Sequence, residues 1–145
     1  MTPAPAIRPL SIPNFTATTA LGAGRAAQSD ALRARRSGLR ANDFRSPGGH
    51  DLLDTWIGRV DGVEDVVLPA HLAEWDCRNN RLAWLALQQD RMLESVAALR
   101  DQHGPERVAL VIGTSTSSIG ATEEAYARLQ DGRFPGDLDR ARIHT

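Results

Sequence analysis

The stretch Glu106–Leu129, "ERVALVIGTSTSSIGATEEAYARL", decides most of what the sequence predicts about the fold. Its first part, Arg107–Ile112, shows no polar alternation, a pattern typical of a strand buried on both faces of a mainly parallel sheet. A cluster of hydroxyl residues follows. Thr122–Glu124 then predicts the cap and the acidic first turn of a helix. The stretch therefore predicts a strand, a turn and a helix.

The hydroxyl-rich turn between the predicted strand and helix admits several interpretations. The spacing of its glycines fits neither common fingerprint of a nucleotide or phosphate loop. A nucleophile elbow would require a G-x-S-x-G motif, which the turn lacks. A simpler role stays open, in which Ser117 or Ser118 caps the following helix.

Upstream of this stretch, short extended segments alternate with helical patterns. Leu10–Thr19 predicts a strand that Pro13 would confine to a sheet edge or a bulge, since proline cannot donate to a ladder. Arg25–Arg36 predicts a helix that ends at Gly38 as a left-handed cap. A short strand or hairpin piece is expected around Trp56–Val60.

A long helix is predicted over Arg81–Arg100, with Asn79 or Asn80 available as its N-cap. Its apolar residues recur at the three-to-four spacing of a buried stripe, so we expect a core element. The stripe consists of Leu82, Leu85, Ala86, Met92, Leu93, Val96 and Leu99. The order of strands and helices along the chain favours an α/β fold.

The composition narrows the possible chemistry. All 17 basic residues are Arg, and the absence of Lys excludes a Walker-type phosphate loop as well as Schiff-base or Ser–Lys catalysis within this chain. The formal net charge of −1 provides no electrostatic footprint for nucleic acid. The length of 145 residues suits one domain or a piece of a larger one.

Cysteine and histidine usage predicts neither a disulfide framework nor a metal centre. The single Cys77 indicates a reducing compartment, and we expect a cytoplasmic protein. The N-terminal segment has neither a basic start nor an apolar core, and no apolar run approaches the roughly 20 residues of a membrane span. The histidines lack the i, i+4 spacing of a metal pair and are expected on surfaces or loops: His50, His71, His103 and His144.

Four segments together resemble the N-terminal region of the β-ketoacyl-[acyl-carrier-protein] synthases, condensing enzymes of the thiolase-like superfamily. They are "TALG" at Thr19–Gly22, "RRSGLR" at Arg35–Arg40, "NRLAWLAL" at Asn80–Leu87 and the opening stretch at Glu106–Leu129. The resemblance covers nearly the whole chain, in the right order and with similar spacing. It implies that residues 1–145 are the N-terminal portion of a synthase's N-terminal domain, with layered helices around a mixed sheet.

The chain departs from the pattern of this family at two places. Asn14 and Thr16 stand where the family's first strand usually carries glycines, and Ser115–Ser118 stand where commoner members have Gly and an apolar residue. These departures are similar to those of a divergent branch such as the synthases of aryl-polyene pigment clusters.

The resemblance implies decarboxylative Claisen condensation of an acyl thioester with malonyl-carrier protein, in fatty-acid, polyketide or aryl-polyene biosynthesis. The acyl carrier protein would be the partner, in a homodimer or heterodimer, and no cofactor or metal is implied. The family's nucleophile is a Cys in a T-A-C-S-S type motif. Cys77, in "WDCRN", does not match that motif. No catalytic residue is therefore assigned in this chain, and the chain alone is expected to be inactive.

The same resemblance assigns one pocket residue and leaves two alternatives. Thr116 falls where the family often places an apolar residue that gates the acyl pocket, so it is expected to border that pocket. The first alternative is a chain-length-factor-like partner that shapes the pocket while another subunit supplies the Cys. The second is an independent small α/β binding domain.

Overall fold

The computed structural model describes residues 9–44, 53–113 and 119–134. The elements of the N-terminal part are β1 Thr18–Thr19, β2 Gly22–Ala23, α1 Gly24–Arg33, β3 Leu39–Ala41 and β4 Trp56–Gly58. Strand β1 pairs with β2, and β3 pairs with β4. Helical elements make up the rest: a 3-10 helix at Ala70–Trp75, α2 Arg78–Leu87, α3 Met92–His103, a 3-10 helix at Pro105–Arg107 and α4 Ile119–Ala127.

The described residues confirm a mixed α/β chain but not a mainly parallel sheet. Both sheets have two strands, and both pairs are antiparallel. The short strand expected near Trp56 is confirmed as β4, which pairs with β3 so that Leu39 faces Gly58. The strand predicted at Leu10–Thr19 is reduced to its last two residues.

A tight turn joins β1 to β2, and helix α1 packs against it. Gln28 of α1 accepts a hydrogen bond from Thr19 Oγ1 at 2.8 Å and donates one to the carbonyl of Gly22 at 2.6 Å. Gly22 has a φ of +134°, and an added Cβ would lie 2.7 Å from Ala27 Cβ. The side chain of Gln28 and the bare backbone of Gly22 therefore hold the turn against the helix.

The predicted left-handed cap at Gly38 is wrong. Helix α1 ends at Arg33, and the left-handed residue is Arg35, with a φ of 51°. Arg36 donates its backbone N–H to the carbonyl of Ala31 at 2.9 Å, the long bond of a Schellman motif. The chain thus accepts a strained arginine at the position that glycine usually occupies in this motif.

Gly38 is required for a different reason, which is the close approach of two backbone segments. A Cβ added at Gly38 would lie 2.7 Å from the carbonyl carbon and oxygen of Ala20. The segment leaving α1 therefore passes directly beside the turn between β1 and β2 before it enters β3.

The single long helix predicted over Arg81–Arg100 is also wrong, because the chain forms α2 and α3 with a break between them. The residue that caps α2 is Cys77, in extended backbone, rather than Asn79 or Asn80. Asn80 lies within the helix, where its side chain donates to the carbonyl of Trp75 at 2.7 Å. The break itself is held by contacts with α1, which are described below.

The strand predicted over Arg107–Ile112 is wrong for the described residues. Val108 has extended backbone, but the segment has no strand partner within the parts of the chain that the structure describes. Leu110, Val111 and Ile112 are 41%, 90% and 52% exposed. An apolar run buries its side chains only when neighbouring strands and helices cover it, and no described element does so.

Helix α4 follows the hydroxyl cluster, as expected, but it begins at Ile119. Thr122, Glu123 and Glu124 therefore lie inside the helix, and its first turn carries no acidic residue. Its small residue Ala125 is buried, and Tyr126 contacts Phe134 edge to face, with ring centroids 5.2 Å apart.

Burial is sparse across the described residues. The buried hydrophobic residues are Ala31, Val63 and Ala125. No residue of α2 or α3 is buried, so the core role expected for their apolar stripe is wrong here. Large apolar side chains are instead exposed along the chain, among them Leu10, Ile12, Leu53, Trp56, Val67 and Val111. Among the residues described, no helix is both long enough and apolar enough to cross a bilayer.

Candidate functional site

The residues that the sequence singled out do not come together in one described site. Thr116 and the neighbouring residues 114–118 lie outside the described residues, as do His50 and His144. His71 lies exposed on the first 3-10 helix, and His103 lies exposed at the end of α3. The role of Thr116 at a pocket border therefore stays a prediction.

Cys77 lies half-buried at the start of α2, beside an ion pair. Arg81 donates two hydrogen bonds of 2.6 Å to the carboxylate of Asp76, and these bonds hold the pKa of Asp76 below its ordinary value. The nearby guanidinium is therefore already engaged by a carboxylate. Within the described ranges, no group of three or more His, Cys, Asp or Glu residues is placed to hold a metal ion.

An open pocket of about 370 Å³ lies between the segment before β1, the start of α1 and the break between α2 and α3. Its polar lining consists of Asn14, Arg25, Asp90, Arg91, Glu94 and Ser95. This pocket is a candidate site among the described residues, and the sequence did not predict it.

Asp90 is the centre of this pocket. Its side chain is 16% exposed, and its carboxylate accepts hydrogen bonds from Thr16 Oγ1 at 2.8 Å and from the backbone N–H of Arg25 at 2.9 Å. Arg25 Nε lies 3.4 Å from the same carboxylate. Because Ala23, the N-cap of α1, offers no capping side chain, Asp90 supplies the negative group at that helix N-terminus.

The charge state of Asp90 follows from these contacts. Burial raises the pKa of Asp90. Hydrogen bonds from the Arg25 backbone N–H and from Thr16, together with the Arg25 guanidinium, lower the pKa by more than burial raises it. The net result is a pKa below the ordinary value, so the carboxylate is ionised at neutral pH.

Asn14 joins the N-terminal segment to the same junction. Its Nδ2 donates to the carbonyl oxygen of Asp90 at 3.2 Å and to Ser95 Oγ at 2.9 Å. The Arg25 guanidinium also lies over the ring of Phe15, 5.1 Å from its centroid. We call the set Asn14, Thr16, Arg25, Asp90 and Ser95 the Asp90 junction.

Backbone geometry at the junction is unusual. Asp90 and Arg91 have φ values of 51° and 54°, so two consecutive residues other than glycine are left-handed. Each costs roughly 1–2 kcal/mol relative to the right-handed region. Such a turn persists when surrounding contacts determine it, and here those contacts are the hydrogen bonds to Asp90. Gly24, which lies beside Asp90, has a φ of +83°, a backbone conformation that glycine adopts without strain.

The chemistry of the Asp90 junction is that of a connection between segments. The Asp90 carboxylate accepts a hydrogen bond from the N-terminal segment, and the Asn14 amide of that segment donates to the Asp90 carbonyl. No described histidine lies in the pocket lining. The junction therefore orients three segments. The sequence holds one local signal for the break, because Asp is a weak helix former and lies at the centre of the predicted long helix.

Comparison with known proteins finds no matching family model, no matching curated protein and no matching solved structure.

Proposed function

We propose that this chain is the N-terminal portion of a β-ketoacyl-[acyl-carrier-protein] synthase with a thiolase-like fold. The complete enzyme would condense an acyl thioester with malonyl-carrier protein in fatty-acid, polyketide or aryl-polyene biosynthesis, in the cytoplasm. Its partners would be the acyl carrier protein and a second synthase subunit. The proposal is supported by four sequence segments that follow the order of that family across Thr19–Leu129.

The structural observation that supports the proposal most strongly is the exposed apolar segment Val108–Ile112. A run of Val, Ala, Leu, Val and Ile without polar alternation suits a strand covered on both faces. In this chain three of its side chains are between 41% and 90% exposed. Polypeptide beyond the described residues, or another subunit, would supply the missing neighbours of this strand.

The proposal divides the catalytic work between this chain and the rest of the protein. The nucleophilic Cys and the decarboxylating histidines would come from residues outside the chain. This chain would contribute the acyl-pocket border at Thr116, while the Asp90 junction would position α2 and α3 against the N-terminal segment.

The coding frame that follows Thr145 provides the first test. We expect it to encode a T-A-C-S-S type motif, and the complete protein should form 3-ketoacyl product from acyl- and malonyl-carrier protein. Replacing the motif Cys with Ala should abolish acyl-enzyme formation, whereas Cys77→Ala should leave it unchanged. A motif found only in an adjacent gene would favour the chain-length-factor-like alternative. If neither the coding frame after Thr145 nor an adjacent gene encodes such a motif, the proposal is overturned.

A second test addresses Thr116 in the complete protein. Thr116→Phe should shorten the longest acyl chain accepted, because the ring would fill space that acyl methylenes otherwise occupy, each worth about 0.8 kcal/mol when buried. Turnover of short acyl chains should be preserved. An unchanged chain-length profile, measured by mass spectrometry of the products, would remove Thr116 from the acyl pocket.

A further inference from the structure

The Asp90 junction interrupts what the sequence would otherwise make a single helix. Residues 78–103 contain neither Pro nor Gly, and the four polar residues at the break, Gln88–Arg91, include the good helix formers Gln and Arg. The chain nevertheless divides into α2 and α3, with Asp90 and Arg91 left-handed between them. Nothing in the local sequence requires a left-handed turn at this point, so its cause lies in the contacts of the turn.

Side chains replace helical hydrogen bonds at the break. In a continuous helix, the carbonyl of Leu85 would accept the backbone N–H of Gln89. Here that N–H donates to the carbonyl of Ala86 at 3.0 Å, and the Gln89 side chain donates to Leu85 at 2.9 Å instead. The Asn14 side chain likewise donates to the carbonyl of Asp90. The break is therefore satisfied, but partly by a residue from the distant N-terminal segment.

We propose that the Asp90 junction is a conformational switch in which contacts of Asp90 with Thr16 and Arg25 hold α2 and α3 apart, and whose release lets residues 78–103 form one continuous helix. Asp90 and Arg91 of the break line the pocket, so a continuous helix over residues 78–103 would change its walls. A ligand that binds in the pocket favours the broken form, and a partner that draws the N-terminal segment away favours the continuous helix.

Distance measurements between two spin labels test this switch in the complete protein. The labels are attached through Arg78→Cys and Gln102→Cys, two exposed positions at opposite ends of the segment, in a background that carries Cys77→Ser and no other reactive Cys. We expect Asp90→Ala to move the distance between the labelled backbone positions to about 36 Å, the length of 24 helical steps. The ellipticity at 222 nm should become more negative as residues 88–91 join the helix.

Two further variants control the experiment. Asp101→Ala removes an exposed carboxylate of α3 and should leave the native distance unchanged. The double variant Asp90→Ala/Arg91→Gly should return the distance toward its native value, because glycine adopts the left-handed conformation without strain and weakens the helix.

Two results would overturn the switch. One is a label-to-label distance in Asp90→Ala that equals the native distance. The other is a distance of about 36 Å that persists in the double variant Asp90→Ala/Arg91→Gly. If Asp90→Ala does not fold, Thr16→Val decides, since it removes only one hydrogen bond to the carboxylate. A second population near 36 Å in Thr16→Val would support the switch, and a single native distance would refute it.

Discussion

At the scale of single residues, this chain places charged side chains where the backbone would favour glycine. Arg35, Asp90, Arg91 and Asp131 all have positive φ values. At Asp90 the surrounding hydrogen bonds explain the conformation. Arg35 is explained only by the Schellman bonds that end α1, so its left-handed backbone is a local cost that a substitution can remove.

Arg35→Gly should therefore stabilise the end of α1 by about 1 kcal/mol, because glycine is left-handed without a steric penalty. The amide of Ala34, which donates to Asp30 at 2.9 Å, reports this effect through hydrogen exchange. Its protection should rise roughly fivefold. Ala34→Gly is the matched control, since Ala34 is right-handed and should lose helix stability, as judged from the Arg33 amide. Equal losses of amide protection in both variants would contradict the assignment of left-handed strain to Arg35.

Asp90 should make the stability of the contact between α1 and the α2–α3 break dependent on pH. Its pKa in the folded chain is lowered from 3.8, so the carboxylate stabilises the fold above that value. The stabilisation is lost as the pH falls from 3.8 through the lowered folded pKa. The chemical shift of the Arg25 amide, which donates to Asp90, should report this titration. Asp90→Asn should abolish it, and a titration that persists in this variant would assign the effect to another group.

At the scale of elements, a close approach of two backbone segments brings the two small sheets together. The turn between β1 and β2 lies against Gly38, immediately before β3. The second sheet is short, and Leu39 and Trp56 at its ends are 57% and 68% exposed. Its position relative to α1 consequently depends on the space that Gly38 leaves.

Gly38→Ala should loosen the β3–β4 pair, because its Cβ would lie 2.7 Å from backbone atoms that cannot rotate away. Overpacking of this kind typically costs about 1–3 kcal/mol. The amide of Asn42, which donates to the carbonyl of Thr55 at 2.9 Å, should exchange at least about fivefold faster. Gly113→Ala is the control, since an added Cβ there meets nothing within 4 Å. Unchanged exchange at Asn42 in Gly38→Ala would show that the backbone shifts freely.

At the scale of the whole molecule, exposed apolar surface dominates the described residues. Large apolar side chains exposed in numbers beyond a scattered few favour an interaction surface. Here the exposed side chains include Leu10, Ile12, Leu53, Val67 and Val111, all at least 73% exposed. This surface agrees with the proposal that further polypeptide covers the chain.

The isolated 145-residue chain should therefore bind the dye ANS strongly and lack a sharp thermal transition. It should also form no 3-ketoacyl product from acyl- and malonyl-carrier protein, since the proposed nucleophile lies outside it. Fluorescence titration, calorimetry and a product assay make these measurements. A sharp cooperative melt of a clean monomer would favour the independent α/β binding domain instead, and product formation by this chain would overturn the assignment of the nucleophile.

The sequence by itself determined those features that depend on neighbours along the chain. Helix α1 and the helix after the hydroxyl cluster follow from local spacing, and β4 follows from a short run at Trp56. These inferences succeed because backbone propensity and the period of apolar residues act over a few residues.

Only the tertiary structure decided where the long helical pattern breaks and which residues form the pocket. Asp90 meets the Arg25 amide across 65 positions of sequence, and Asn14 reaches Ser95 across 81. The polar run Gln88–Arg91 marks a weak point of the predicted helix, but no local signal shows that a distant helix N-terminus will bind the Asp90 carboxylate. The apolar run at Val108–Ile112 departs from the strand that its sequence predicts for the same reason. Its composition predicts a strand, but a strand forms only where a neighbour accepts its hydrogen bonds, and that neighbour is supplied by the fold.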